Sequence, residues 1–201
     1  MPLPRFHRLP FDRREEILRV ARDHFARNGP HTASYNQIIA AAGISKTAAY
    51  QYFDGRDEQV VATVTDVRAR LGARLGPWVE ADTADDFWAR LRAGAARLRE
   101  HLVDHPDDLA LTGAVGGAGP VEEPGAQWLA AVLANGRSLG VVRTDVDDDL
   151  MLAATAAVFQ AADACVLDAL RRQAGASLED QAWELIAALW SPPRRGEEGR
   201  D

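Results

Sequence analysis

Apolar residues recur at helical spacing along most of the chain, and the first such run begins after residue 10. One face between residues 12 and 28 carries Ile17, Leu18, Ala21 and Phe25. Gly29-Pro30 follows this run, and the spacing therefore predicts a helix over about 12–28. Asp12, three residues before Glu15, is its expected capping residue.

The same periodicity continues to residue 190 without any strand-like alternation. The further predicted helices span about 34–42, 46–53, 56–75, 84–104, 106–113, 122–136, 146–174 and 178–190. Expected capping residues are Thr32 or Ser34, Ser45, Asp82 or Thr83, and Ser177. The chain is therefore predicted to be all-α, with a small N-terminal helical domain (1–55) and a larger helical domain (56–190).

Three segments lack periodicity and are expected to be irregular. Residues 1–10, with three prolines, form an arm in which Arg5 and Arg8 either touch phosphates or belong to a disordered tail, the second being favoured. The glycine-rich stretch Gly113–Gly125 is expected to be a mobile loop. Residues 191–201 are expected to be a disordered tail.

Two short predicted helices flank a tight glycine turn in residues 34–53, SYNQIIAAAGISKTAAYQYF. Ala41 and Ala42 allow the helices to meet closely, and Gly43 tolerates a positive φ in the turn. Ile44 is expected to fill the core beneath the turn, and Ser45 to cap the second helix. This arrangement predicts a helix-turn-helix, although a plain helical hairpin shares the small residues and the glycine.

The second helix of this pair is rich in hydrogen-bonding side chains. It carries Lys46, Thr47, Tyr50, Gln51 and Tyr52, and it has no acidic residue. Such a surface suits base edges and phosphates. Lys46 is the only lysine in the chain, which makes its position at the start of this helix more suggestive.

The charge distribution favours a nucleic-acid partner at one end of the chain. The formal net charge is −7, but residues 1–56 hold nine basic and five acidic side chains. This segment is therefore +4, and the remainder is −11. A basic head on an acidic body presents one face to a polyanion and keeps the other surface away from it.

Residues 42–54 resemble the DNA-binding segment of TetR family regulators. The resemblance lies in Ala42-Gly43-Ile44-Ser45-Lys46, in Tyr50-Gln51-Tyr52-Phe53-Asp54 and in the acidic helix start that follows, and it covers about residues 12–62. It implies an operator of double-stranded DNA as the partner. The implied DNA-contacting residues are Ser34, Asn36, Lys46, Thr47, Ala48, Tyr50, Gln51, Tyr52 and Arg56.

The chain departs from the usual family pattern within the second short helix. Thr47 stands where glycine is common, Ala48 where threonine is common and Ala49 where leucine is common. Thr47 adds a hydroxyl that reads bases, and Ala48 retains only a methyl contact. The operator sequence of a relative is therefore not transferable to this chain.

The resemblance also implies a homodimer and a small-molecule effector. The last two predicted helices, 146–174 and 178–190, pair with their symmetry mates in a four-helix interface, with a core within one chain as the alternative. A ligand pocket is implied between the predicted helices 84–104 and 146–174. Its expected lining residues are Phe87, Trp88, Leu91, Trp128, Met151, Phe159 and Gln160, which equally suit an ordinary core.

The resulting hypothesis is a ligand-responsive repressor in which effector binding moves the predicted helix 56–75 and changes the spacing of the DNA-reading helices. A small helical enzyme or binding protein is the alternative, and an architectural DNA binder without sequence preference is a second one. Specific binding to a duplex with steep salt dependence separates a regulator from the enzyme.

Other chemistry finds little support. His101 and His105 have the spacing of metal ligands, but a solvated helix end is the favoured interpretation. The acidic run 145–149 lacks the glycine and glutamate of a calcium loop, which favours helix capping. No nucleophile and base stand at a catalytic spacing, so no enzyme, cofactor or metal is expected.

The cellular compartment is inferred from what the sequence lacks. The longest apolar stretches, such as Leu150–Val158, are far too short to cross a bilayer, and residues 1–20 lack a clean apolar run for a secretory signal. The single cysteine, Cys165, excludes a disulfide within the chain. A cytoplasmic protein without membrane contact is therefore expected.

Overall fold

The computed structural model describes residues 2–112, 123–172 and 177–192. Its regular structure in these ranges is helical and contains no strand, which confirms the all-α prediction. The helices are α1 (Pro4–His7), α2 (Phe11–Asn28), α3 (Tyr35–Ala41), α4 (Lys46–Tyr52), α5 (Arg56–Leu75), α6 (Ala84–Asp104), α7 (Pro106–Leu111), α8 (Glu123–Ser138), α9 (Asp148–Arg171) and α10 (Ser177–Trp190).

The chain folds into two compact units. The N-terminal unit comprises Met1–Leu75 and Arg97–Gly119, and the C-terminal unit comprises Gly76–Ala96 and Pro120–Asp201. Helix α6 contributes residues to both units. The functional division at residue 55 is a different kind of boundary, and it remains a prediction.

The N-terminal unit is built around α2, which packs against α3, α5 and α7. Phe25 of α2 is buried with Val64 and Val67 of α5 and with Leu111 of α7. In a second cluster, Ile17 and Leu18 of α2 are buried together with Ala42 and Phe53, the residues that directly follow α3 and α4. Burial of this apolar surface fixes the helix-turn-helix on α2.

Most of the predicted helix boundaries have the expected physical cause. Gly29 ends α2 with a φ of 78°, in the region that other residues adopt at a cost. The hydroxyl of Thr83 accepts a hydrogen bond from the Asp86 N–H at 3.2 Å. The carboxylate of Asp147 accepts from the Leu150 N–H at 3.1 Å, as the capping interpretation of the acidic run expects.

Some boundary predictions were wrong. Pro10 occupies the position before α2, so Asp12 lies inside the first helical turn instead of capping the helix. Residues 4–7 form α1 where an irregular arm was expected, because Phe6 is buried. Residues 113–122 of the predicted loop Gly113–Gly125 lie outside the described residues. Its last three residues, 123–125, form the start of α8 instead of a loop. The predicted tail lies outside them from residue 193 onwards.

A cluster of aromatic side chains forms the core of the C-terminal unit. Trp190 at the end of α10 is fully buried, and its indole N–H donates to the Thr155 hydroxyl at 3.0 Å. Its ring lies 5.5 Å from that of Trp88 and 6.0 Å from that of Phe87. These contacts join α6, α9 and α10 into one core.

A buried group of charged side chains joins four helices of the N-terminal unit. Arg22 of α2 forms an ion pair with Asp66 of α5 at 2.5 Å, and its Nε lies 3.5 Å from Asp108 of α7. Asp108 also lies 3.2 Å from Arg70 and 2.8 Å from His101 Nε2. Burial raises the pKa of Asp66 above its ordinary value, while Arg22 opposes this shift.

The expectation that His101 and His105 occupy a solvated helix end was wrong for His101. Its side chain is buried because Asp108 and the stacked His105 ring, 4.1 Å away, cover it. Among the described residues, no three metal-ligating side chains form a group that suits a metal ion. His101 therefore belongs to the buried charged group through Asp108, and His105 stacks on His101 from a half-buried position.

Helix α9 is the one described helix that is long and apolar enough to cross a membrane. Only 11% of its most apolar stretch is buried within this chain. The sequence analysis did not identify this helix as long enough, because Gln160 and Asp163 interrupt its apolar stretch. One such helix is weak evidence for a membrane, since helices of soluble proteins show the same pattern.

Candidate nucleic-acid interface

Helices α3 and α4 form a helix-turn-helix whose inner face is tightly packed. Ala49 of α4 and Ile38 of α3 have no exposed surface, and Ala42 before the turn is 1% exposed. Gly43 has a φ of 61°, which lets the chain turn within three residues. Ser45 caps α4 by accepting a hydrogen bond from the Ala48 N–H at 3.1 Å.

The opposite face of α4 is open. Lys46, Thr47 and Tyr50 are exposed, and the Tyr50 side chain is 59% exposed. Ala48, Gln51 and Tyr52 are half-buried. The helix thus brings together the predicted DNA-contacting side chains of residues 46–52, with its polar groups on the outer face.

Arg13 of α2 holds the turn in place, and the sequence analysis missed this role. Its Nη2 donates to the carbonyl oxygens of Ala42 at 2.9 Å and Gly43 at 3.0 Å. Glu16 pairs with the same guanidinium. Backbone carbonyls carry no sequence signature, so periodicity gave no indication of this contact.

The start of α3 presents two predicted contacts beside Tyr35. Ser34 and Asn36 are exposed, and the Ser34 hydroxyl makes no capping hydrogen bond. The Tyr35 ring packs edge-to-face on Tyr50 at 5.9 Å, which connects α3 to the outer face of α4. Burial, followed by Tyr50 and Glu58, raises the pKa of Tyr35 to about 12.

Arg56 has protein partners in addition to its predicted phosphate contact. Its Nη1 donates to the His31 carbonyl at 2.6 Å, and its Nη2 lies 3.2 Å from the Asp57 carboxylate. The residue therefore ties the start of α5 to the loop before α3. The backbone N–H of Asp54 donates to Glu58, and this hydrogen bond lowers the pKa of that carboxyl group.

The predicted effector residues lie together in the C-terminal unit, but mostly as core. Phe87, Leu91 and Met151 are buried in one cluster. Trp88, Trp128 and Phe159 pack against that cluster and are partly buried, whereas Gln160 is exposed.

A surface hollow of about 560 Å³ lies beside this aromatic core. Of the predicted effector residues, only Trp88 lines it, opposite Val141 and Ala187. Asp85 and Arg92 add charged groups to its rim.

Comparisons with known proteins agree with this geometry. Residues 17–63 match the family model for bacterial regulatory proteins, tetR family. That segment contains α3, α4 and most of α2, the helices that form and support the helix-turn-helix.

Solved structures match nearly the whole chain. The regulatory protein TetR from Rhodobacter sphaeroides is 18% identical, with a TM-score of 0.63 over 88% of this chain and 97% of that one. A TetR-family transcriptional regulator from Pectobacterium atrosepticum is 21% identical, with a TM-score of 0.60 over 90% and 94%. A TetR-like transcriptional regulator from Rhodococcus sp. RHA1 is 22% identical, with a TM-score of 0.56 over 90% and 96%. At these identities the likeness establishes the fold.

Proposed function

Residues 17–63 match the model of the tetR family, and from that match we propose that the protein is a ligand-responsive repressor that binds a palindromic operator as a homodimer. The observation that carries the proposal is the two-faced helix α4. Ala49 anchors it with no exposed surface, while Lys46, Thr47 and Tyr50 face outward. A packed anchor and a polar outer face are what a groove-inserting helix requires.

The proposed DNA contacts divide by chemistry. Thr47 and Gln51 supply hydrogen-bonding groups for base edges, and the Ala48 methyl suits a thymine methyl. Lys46, Tyr50 and Tyr52 supply donors for phosphates, together with Ser34 and Asn36 at the start of α3. Arg56 is proposed to contact a phosphate as well, in addition to its contacts with the His31 carbonyl and Asp57.

We propose that α9 and α10 form the dimer interface. The two helices pack on each other within the chain and leave apolar side chains outside, with Leu150 61% and Leu185 62% exposed. Covering this surface with a second copy removes it from water, which favours association. Two-fold symmetry then pairs the recognition helices about 34–36 Å apart, one turn of B-DNA.

The effector is proposed to bind the C-terminal unit near Phe87, Trp88, Leu91, Trp128, Met151, Phe159 and Gln160. An effector releases the operator only if it binds the non-operator state more tightly, since linkage between two sites is reciprocal. The side chains there favour an organic molecule with an aromatic or aliphatic body. The protein acts in this proposal as a cytoplasmic regulator without catalytic activity.

Selection of bound duplexes from a random pool tests the proposal. The expected result is an enriched inverted repeat whose half-sites are separated by about one helical turn. A matched selection with Thr47→Ala and Gln51→Ala should enrich altered bases at the corresponding positions, whereas Arg27→Ala should enrich the wild-type sequence. Enrichment of no sequence above the starting pool contradicts a sequence-specific repressor and favours the alternative of a helical binding protein or enzyme.

A further inference from the structure

We propose that α1, together with Arg5 and Arg8, is an additional phosphate-binding element beside the recognition helix. The site is the hollow lined by Arg5, Arg8, Leu9 and Tyr52, and its ligand is a phosphodiester of the DNA backbone. The inference rests on the proposed DNA-binding function and adds a contact that lies outside the matched family segment, residues 17–63.

Helix α1 is docked on the C-terminal end of α4. The Leu3 N–H donates to the Tyr52 carbonyl at 2.8 Å, which continues the backbone hydrogen bonding at the end of the recognition helix. Phe6 is 4% exposed, and its ring lies 4.8 Å from that of Phe53 and 6.1 Å from that of Tyr52. These contacts give α1 a defined position.

A second attachment fixes the other end of α1. The Arg14 Nη1 of α2 donates to the His7 carbonyl at 3.3 Å. Because both ends of the segment are held, the side chains of Arg5 and Arg8 extend from a fixed backbone. A fixed backbone reduces the ordering cost of binding a ligand there.

The hollow has the chemistry of an anion site. It measures about 490 Å³, and two of its four lining residues, Arg5 and Arg8, are arginines. Arg5 and Arg8 are exposed, and within the described residues neither forms an ion pair with a carboxylate. Guanidinium groups bind phosphate oxygens through paired hydrogen bonds.

The surrounding helices favour DNA over other anions. Helices α1, α3 and α4 contain no acidic residue, and they carry Arg5, His7 and Lys46. Tyr52 belongs both to the hollow and to the proposed DNA-contacting face of α4. A duplex read by α4 therefore places its backbone at the rim of the hollow.

The test measures duplex binding by fluorescence anisotropy over a series of salt concentrations. Log affinity falls as log salt rises, and each lost phosphate contact makes this slope shallower by about 0.9 for B-DNA. The double variant Arg5→Ala/Arg8→Ala removes four arginines from the proposed homodimer, so the slope should become shallower by about 3.6, with roughly tenfold weaker binding per lost arginine near 0.1 M salt. Selected and scrambled duplexes should lose affinity equally, because phosphates carry no sequence information.

Two further variants keep the result interpretable. Arg19→Ala/Arg27→Ala removes the same charge from the exposed surface of α2 and should leave the slope unchanged. Arg5→Lys/Arg8→Lys should retain the wild-type slope. Circular dichroism of each variant must match the wild type, and Phe6→Ala, which removes the docking contact of α1, should reproduce the loss of slope with both arginines present.

The possible results separate this inference from the proposed function. Selective wild-type binding with an unchanged slope for Arg5→Ala/Arg8→Ala overturns the phosphate site and leaves the repressor proposal standing. An equal loss of slope in Arg19→Ala/Arg27→Ala also overturns it, since general charge would then explain the effect. No selective binding by the wild type overturns the repressor proposal, and the additional contact falls with it.

Discussion

Neighbouring residues of α4 differ sharply in exposure. This contrast lets one side of the helix pack on the protein while the other side is open for the proposed DNA contacts. Ala49 is fully buried beneath the turn, whereas Lys46 lies on the outer surface one helical turn earlier. Ile38 of α3 and Phe53 at the end of α4 are fully buried as well, so the inner side of the helix-turn-helix is packed. Substitutions on the two faces should therefore affect different quantities, stability on the inner face and DNA affinity on the outer face.

Lys46→Ala tests the outer face at a single residue. We expect operator binding to weaken by about 1–3 kcal/mol, because a charged contact to DNA is lost. The free energy of unfolding should stay within about 0.5 kcal/mol of wild type, since the side chain is exposed. Affinity measured at fixed salt, with Arg27→Ala as the control, checks this expectation, and an unchanged Lys46→Ala affinity contradicts it.

The raised pKa of Tyr35 should make the stability of the fold and its tyrosinate absorbance depend on pH in the alkaline range. Its folded pKa of about 12 lies above the ordinary value of 10.0, so the folded state retains the proton more strongly than the unfolded state. The associated stability is present below pH 10 and is lost as the pH rises towards about 12. Difference ultraviolet absorbance should show a late tyrosinate signal that Tyr35→Phe removes, while Tyr52→Phe leaves it in place.

At the scale of whole elements, periodicity and capping chemistry predicted most of the fold. The helix-turn-helix followed from small residues around Gly43 and from the Ser45 cap, both of which act locally. Helix α1 did not follow, because a single buried Phe6 stabilises it through contacts with residues about 50 positions away. Arg13 was missed for the same reason, since its partners are carbonyls across a turn.

The site residues were predicted unevenly for a related physical reason. An exposed polar helix face is a local pattern, and Lys46, Thr47 and Tyr50 are exposed on α4, while their DNA contacts stay a prediction. An effector pocket depends on how distant helices close around a space, and aromatic spacing resembles that of an ordinary core. The central position of Trp190, which organises the aromatic cluster, was therefore not apparent from the sequence.

The buried charged group should contribute strongly to the N-terminal unit. Asp108→Ala leaves Arg22 and Arg70 facing each other's charge without their shared carboxylate, and we expect a loss of about 3–5 kcal/mol in unfolding free energy. Asp107→Ala removes an acidic side chain from the same first turn of α7 and should cost about 1 kcal/mol or less. Urea denaturation gives the unfolding free energy of both variants. Equal losses would show that the buried ion pairs of Asp108 do not stabilise the fold more than an exposed acidic side chain does.

Gly136 allows close packing inside the C-terminal unit. A methyl group at this position would lie 2.5 Å from Val142 Cγ2 and 3.1 Å from the Phe87 ring. We expect Gly136→Ala to destabilise the protein by about 1–3 kcal/mol through overpacking. Gly72→Ala is the matched control on α5, where nothing lies within 4 Å, and it should stabilise by up to about 1 kcal/mol. Thermal denaturation giving the two variants the same sign of change contradicts the packing argument.

At the scale of the whole molecule, the charge of −7 and the basic N-terminal segment act in opposite directions on DNA. The acidic remainder repels the polyanion, so binding requires the basic face to be presented and should fall steeply as salt rises. In the proposed homodimer, two copies present two such faces to one duplex, which would link affinity to dimerisation.

Leu185→Glu tests the proposed dimer. The side chain is 62% exposed on α10, and a charge placed there should oppose burial against a second copy. We expect sedimentation velocity to shift from dimer towards monomer, with weaker operator binding. Val79→Glu changes another exposed apolar side chain of the C-terminal unit, 60% exposed, and should leave the dimer intact. Unchanged sedimentation of Leu185→Glu would place the interface elsewhere.

The hydrogen bond between Leu3 and Tyr52 has a practical consequence for work with the purified protein. A purification tag fused ahead of residue 1 would end only two residues before Leu3, and therefore close to the end of α4. Histidine-rich or acidic leader peptides attached there would compete with, or repel, the duplex in every assay described above. Cleaving such a leader before measurement should therefore change the apparent affinity, even though the regulator's own residues are identical.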